Sequence, residues 1–414
     1  MNRVDVLRTR AAAQGLGREA ATAFDVPVLA LGVQDSPPGA ARLALAARTR
    51  PPAVGPATPA VPDPAWWEDD DRLTSAWSVR GAPHVHRRAD LPALAAALWP
   101  HDDVDAAARL AWNATRVRET GRPPLEVLAA TVAAVAEVAA LDPATLDATG
   151  IPPVERRDGE VGLSKGLLSR EVGRRLPREL LRRCEPCGVE HVFEQALRLT
   201  ALPGGLAVEG GSPVVLAPFA GPDAPGRVPP GWVPPGDPGD LGPLVRAYLH
   251  LYAPATPADV RTFLGASLAV VKAHWPADAV PVRVTTGTGS SRTGTGARQA
   301  WALPDDVATL SDPPTPPHVR LLPPNDAVLK AGDRDLLVPD RTRQKVIWRV
   351  LGSPGVLLLD AEPAGVWRPR ATGGRLGLTV EPFTPLPATA HAALEVEAER
   401  MAAVRGLRLA RLTV

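Results

Sequence analysis

Three polar side chains of different chemistry stand together at Gln34-Asp35-Ser36: an amide, a carboxylate and a hydroxyl. Such a set can orient a water molecule, take its proton, or stabilise a developing positive charge. Pro37 drives Ser36 away from the α region, and Pro38 does the same to Pro37. Gln34 and Ser36 are therefore expected on one side of an extended segment and Asp35 on the other. Gly39 to Arg48 is rich in helix formers, and the two prolines suit a first helical turn, so a helix is expected from about Pro37. A plainer reading stands beside the chemical one, with Ser36 as the N-cap and Asp35 as a favourable charge at the positive helix end.

Two other constellations invite chemistry. Cys184-Glu-Pro-Cys187, with His191 four residues on, has some of the look of a zinc site, but a closed site needs four ligands and the chain has only these two cysteines. They are read as reduced structural thiols, with no metal or cofactor expected. Between Ser164 and Arg183 seven basic residues, Lys165, Arg170 and Arg174 among them, face only Glu171 and Glu179. That excess can lie along phosphates or form a solvated helix face.

The elements that must position these groups belong to a chain of 414 residues, 45% hydrophobic with formal charge +1. This length allows two to four domains. Near-neutral charge gives no whole-chain argument for nucleic acid. With 48 prolines, 36 glycines and few lysines, arginine stands where other chains carry lysine, which weakens each single arginine as a phosphate ligand. The longest apolar run, Leu125 to Leu141, is broken by Glu126 and Glu137 and is short for a membrane span. Met1 to Phe24 lacks the apolar core of a signal peptide. With two cysteines, a cytoplasmic protein is expected.

Taken in order, Val4 to Gly15 reads as a helix, Thr49 to Pro64 as a loop, and Ser75 to His86 as an edge hairpin, since Pro83 disfavours a central strand. Leu91 to Trp99, Pro123 to Leu141, Leu163 to Leu181 and His191 to Leu202 read as helices, with a short one after Asp142-Pro143. Gly221 to Pro243 is a proline and glycine linker. Helices from Leu244, Thr256 and Leu268 precede strands Val280 to Thr286 and Ala300 to Leu303. Arg292 and Arg298 lie near the tip of that pair, with no acidic residue between Arg283 and Ala302. Val319 to Leu322, Val346 to Val350, Gly355 to Leu359, Gly365 to Arg368 and Leu376 to Val380 read as strands, and His391 to Arg405 as a helix. Trp367 is assigned to the core.

Several of these residues recur in one order elsewhere: Gly32-Val33-Gln34, Ala41-Arg42-Leu43-Ala44-Leu45 with Arg48, Arg80-Gly81 with His84, Leu321-Leu322-Pro323-Pro324-Asn325-Asp326, Asp333-Arg334 and Gly365-Val366-Trp367-Arg368. In them the chain resembles the winged-helix DNA-binding proteins related to the bacterial AlkZ and YcaQ DNA glycosylases, over nearly its whole length. The resemblance implies an α+β protein of three tandem winged-helix (helix-turn-helix) units followed by a small C-terminal β-sheet or barrel. The segments would be 1–108, 109–220, the linker 221–243, 244–305, and 306–414 with its terminal helix. It implies double-stranded, damaged DNA as partner, a nucleoid-associated cytoplasmic location, and no membrane or obligate protein partner.

The resemblance also implies monofunctional removal of alkylated bases, including crosslinked purines. The family's catalytic pair, glutamine, any residue, then glutamine or aspartate, falls on Gln34 and Ser36. Gln34 fits and Ser36 departs, leaving Ser36 or Asp35 to assist Gln34 with water. Arg80, His84, Lys165, Arg170, Arg174, Arg292, Arg298, Arg334 and Arg368 are the expected DNA contacts. Arg80 and His84 equally suit packing of their hairpin, and Asn325, Asp326 and Arg334 suit a network holding the β domain. The second reading is a non-catalytic DNA-binding or regulatory protein on the same scaffold.

Overall fold

A computed structural model describes residues 1–50, 70–141, 154–155, 161–185, 188–210, 214–218, 238–285 and 297–414. Most of the Thr49 to Pro64 loop, the helix after Asp142-Pro143, Cys187, Arg292 and most of the Gly221 to Pro243 linker lie outside the described residues. The chain forms two compact units. One comprises Met1–Asp70, Leu244–Val260 and Trp275–Val414, the other Asp71–Pro243 and Arg261–His274.

The first unit is organised on a five-stranded sheet, in the order Val319–Leu322, Gly355–Leu359, Glu362–Thr372, Arg375–Pro382 and Arg408–Thr413. Alternation divides its apolar residues between two faces. Val356, Leu358 and Val366 pack with Val6, Leu7 and Ala11 of helix Arg3–Ala13. Leu357, Trp367, Leu376 and Leu378 pack with Ala390, Leu394, Ala398 and Met401 of helix Ala388–Val404. Trp367 is core as expected, fully buried with its indole N–H donating to the Leu322 carbonyl at 2.8 Å. Gly355 lies opposite it, where a Cβ would overlap the ring.

The last two strands are parallel. A parallel pair needs a crossover, and helix Ala388–Val404 supplies it. Sequence reading found that helix but not the strand after it. It also expected Val346 to Val350 as a strand, where helix Arg341–Ile347 runs instead, its first N–H groups held by the Asp340 carboxylate at 2.7 and 3.2 Å. An aspartate cap ahead of a mixed polar run outweighs β-branched residues at its end.

In the second unit the hairpin Leu73–Trp77 and Pro83–Arg87 is present, with Pro83 at its strand's first residue. Ser75 also pairs with Val208, and Leu206–Gly210, Val215–Pro218, Val161–Ser164 and Val154–Glu155 extend the sheet. Helices Pro124–Ala139, Lys165–Arg175 and Glu194–Ala201 share one core, in which Val135, Leu167, Leu168, Ala196 and Leu197 are buried. The helix expected from Leu163 to Leu181 ends at Arg175, because Leu176 precedes Pro177 and is held extended. Strand Leu181–Cys184 then pairs with Val189–Val192, so the next helix starts at Glu194 rather than His191.

On the hairpin's second strand, His86 is buried with Nε2 2.8 Å from Ser78 Oγ. Burial, then the nearby His84 ring, push its imidazole down from 6.5 to about 3. The unfolded chain takes up this proton below its ordinary pKa while the fold refuses it, so stability falls as pH drops through that window, by up to about 1.4 kcal/mol per pH unit. Denaturant unfolding followed from about pH 7 to 4.5 will show a shallower acid loss in His86→Gln than in the native chain. Equal slopes would mean that this ring does not set the acid response.

Candidate active site and nucleic-acid interface

Gln34 ends the two-residue strand Val33–Gln34, and the chain then turns into helix Ala40–Ala46. The Ser36-Pro37 peptide is cis. The Ala40 N–H donates to the Pro37 carbonyl at 3.0 Å, and Gly39 sits at φ 84° and ψ 0°, the third-position values of a type II turn. Pro-Pro-Gly therefore makes the turn that precedes the helix rather than its first turn, which corrects the expected start at Pro37. Only glycine takes that positive φ without strain.

The cap also differs from expectation. Asp35, six residues upstream, accepts the Ala41 N–H at 2.9 Å. Its carboxylate thus meets the positive helix end across the turn, as its charge led one to expect, and takes the capping bond that the sequence reading gave to Ser36. Burial pushes the Asp35 carboxyl above its ordinary range, against the opposing pull of the Ala41 and Gly39 N–H groups, the Arg42 charge and the Ala40 N–H. Ser36 and Gln34 are half-buried.

The loop Leu321 to Lys330 fixes this turn from outside. Asn325, at φ 61°, donates through Nδ2 to the Ser36 carbonyl at 2.6 Å and accepts from Lys330 Nζ at 2.9 Å. Asparagine tolerates the left-handed backbone that aims its amide there. Next to it, Asp326 receives both terminal nitrogens of Arg48 at 2.7 and 2.8 Å, with both side chains fully buried. Arg48 also donates to the Gln14 and Ala44 carbonyls, and Asp326 accepts the Val328 N–H. Asn325 and Asp326 thus hold the turn and the helix behind it in place.

The expected DNA contacts fall into different settings. Arg80 is exposed at the hairpin turn with φ 57°, its carbonyl accepting from Gln195 Nε2 at 3.2 Å. His84 is buried, with Nδ1 2.9 Å from the Ala82 carbonyl, so it packs the hairpin. Lys165 pairs with Glu194 at 2.8 Å. Arg170 and Arg174 lie 3.4 and 3.0 Å from the buried Glu171, with Arg174 still 57% exposed. Arg298 binds Asp259 and, at 3.0 Å, Asp333, which also holds Arg10 through two bonds of 2.8 Å. It has acidic partners remote in sequence. Arg334 stacks 4.8 Å from the Trp348 ring centroid, and Arg368 is half-buried within its strand.

Trp112 is a further candidate that the sequence pattern does not mark. It is 62% exposed after Ala111, which is held at φ 51°, and the Arg116 guanidinium lies 5.9 Å from its ring centroid. Nothing in the local pattern distinguishes an exposed indole from a core one. Among the described residues, no group of three His, Cys, Asp or Glu is placed to hold a metal ion, and no helix is long and apolar enough to cross a membrane.

Residues 28–404 match the family described as DNA glycosylase AlkZ-like. Among solved structures, the Streptomyces sahachiroi DNA glycosylase AlkZ superposes with a TM-score of 0.67, covering 100% of this chain and 99% of that one at 20% sequence identity. No curated protein matches the chain.

Removing one partner of the Arg48–Asp326 pair strands the other's charge in the core, at a cost of about 3–5 kcal/mol. Arg48→Met and Asp326→Asn are each expected to lower unfolding free energy by that order. A loss below about 1 kcal/mol would mean that the pair is not holding the turn. Asp35→Ala should cost about 1 kcal/mol as a lost cap, with Asp35→Asn milder, read by the same unfolding experiment.

Proposed function

The chain belongs to the AlkZ-like DNA glycosylase family, and on that premise we propose that it is a monofunctional DNA-repair glycosylase hydrolysing the N-glycosidic bond of alkylated purines. The observation that carries the reading is the position of Gln34, the family's first catalytic residue, at a strand end braced by a buried network.

An N-alkylated purine is already cationic, so its bond to C1′ breaks with both electrons leaving on the base, which becomes neutral. The sugar develops oxocarbenium character, and water adds its oxygen to C1′ and releases a proton to solvent. A carboxamide has no useful basicity at neutral pH, but its oxygen can accept from that water and aim a lone pair. Gln34 takes this role, and the Ser36 hydroxyl supports the same water. Asp35 is assigned to the helix cap rather than to proton abstraction, because one of its oxygens is already held by the Ala41 N–H.

DNA contacts are proposed on each unit separately. On the second unit the exposed Arg80 and Arg174 meet phosphates with the half-buried Arg170 beside them, and the exposed indole of Trp112 with Arg116 offers a stacking surface. Lys165, bound to Glu194, is a weaker contact. On the first unit Arg334, Arg368 and Arg292 remain contacts, whereas Arg298 serves the fold through its two carboxylates. The order along the chain of helices followed by a hairpin supports the tandem winged-helix organisation, with the C-terminal sheet as its closing domain.

The test is single-turnover release of N7- and N3-alkylpurines from duplex DNA, with binding measured in parallel. Gln34→Ala is expected to slow release by about 10²-fold or more while leaving affinity intact, and Ser36→Ala by less. Ser36→Gln, which installs one of the two residues the family pattern takes there, is expected to raise the rate. Salt-sensitive duplex binding with no release from any of these lesions would replace this reading with that of a non-catalytic DNA-binding protein.

A further inference from the structure

In the first unit, three guanidiniums gather at the C-terminal end of helix Ala40–Ala46 around one carboxylate. Arg18 donates to Glu397 at 2.6 Å and to the Ala47 carbonyl at 3.3 Å. Arg320 lies 3.7 Å from the other Glu397 oxygen and donates to the Leu16 and Val319 carbonyls. Arg400 donates to the Ala46 and Thr49 carbonyls at 2.7 and 2.8 Å, while its Nε is buried without a partner among the described residues. The side chains of Arg18 and Arg320 are each only 13% exposed, and that of Glu397 only 8%. Burial, then repulsion from Arg18, push Arg320 and Arg400 down to about 10.

The plain account is that arginines cap a helix C-terminus. It falls short, because a helix end supplies only about half a negative charge, against two positive charges in excess of Glu397. Beside the cluster is an open recess of about 20 Å³, lined by Arg18, Leu43, Leu321, Glu397, Arg400 and Met401. A space of about 10–15 Å³ admits one water-sized atom. The recess therefore takes one oxygen of a small oxyanion, with the rest of the group at its mouth.

We propose that the recess between Arg18 and Arg400 is a phosphate-binding site, distinct from the Gln34 turn. The planar guanidinium fork suits phosphate oxygens, and a bound phosphate cancels the charge that Glu397 leaves uncompensated. The phosphate is either free in solution or a phosphodiester of a bound strand; the chemistry is shared.

The experiment is thermal unfolding of the full chain titrated with inorganic phosphate, against chloride at matched ionic strength. The native protein is expected to show a saturable rise in Tm that chloride does not reproduce. Glu397→Gln, which removes the carboxylate that Arg18 and Arg320 share, should be less stable without phosphate and respond at about tenfold lower phosphate, since opposing charge is removed. Arg400→Gln should lose the response. No phosphate-specific rise in the native chain, which needs no variant to fold, or an undiminished response in Arg400→Gln, overturns the site. The salt dependence of undamaged-duplex binding separates the two sources. A slope reduced by about one in Arg400→Gln assigns the site to a strand phosphate. An unchanged slope with the native phosphate response present assigns it to free phosphate.

Discussion

The buried pair of Arg48 and Asp326 is the interaction on which the site depends. Taking two charges out of water is costly, and their attraction offsets that cost only when the remaining donors and acceptors are met. Here they are met. Arg48 reaches both Asp326 oxygens and the Gln14 and Ala44 carbonyls, and Asp326 holds the Val328 N–H besides. The pair ties the end of helix Ala40–Ala46 to the loop that carries Asn325, and Asn325 in turn fixes the backbone of Ser36. The strand end bearing Gln34 is thus held by groups nearly 300 residues away in sequence.

This arrangement explains how a neutral side chain can serve. An amide contributes direction rather than basicity, so its value lies in being held still. The type II turn at Pro-Pro-Gly, the Asp35 cap and the Asn325 bond each remove a freedom from the residues around it. Asp35, the strongest base in the triplet by residue type, is committed to backbone N–H groups. In the proposed mechanism the departure at Ser36 from the family pair leaves Gln34 with more of the work, which suits the proposed substrates, whose leaving base is already charged.

What the sequence revealed of this follows the range of the interactions. The helix behind Gln34, the core position of Trp367 and most C-terminal strands were legible, because helix-forming runs and apolar alternation are local signals. The turn was misread, although proline followed by glycine is a type II signal, because two prolines before a helix-forming run suit a first helical turn equally well. Arg298 has no acidic neighbour in sequence, so its ion pairs could not be read there. Its partners Asp259 and Asp333 approach only in the folded chain. The strand Arg408–Thr413 was missed because its arginines and leucines carry little β propensity, and its pairing follows from the crossover before it.

The central claim is that a positioned neutral amide, not a carboxylate base, directs the attacking water. The direct measurement is the pH dependence of single-turnover release of an N7-alkylpurine, in the native chain and in Asp35→Asn. The account predicts a flat profile from about pH 5.5 to 8.5, nearly unchanged in the variant, since no group titrates in the catalytic step. A rate that falls about tenfold per pH unit on the acid side, with activity lost in Asp35→Asn, would make Asp35 the general base and contradict it.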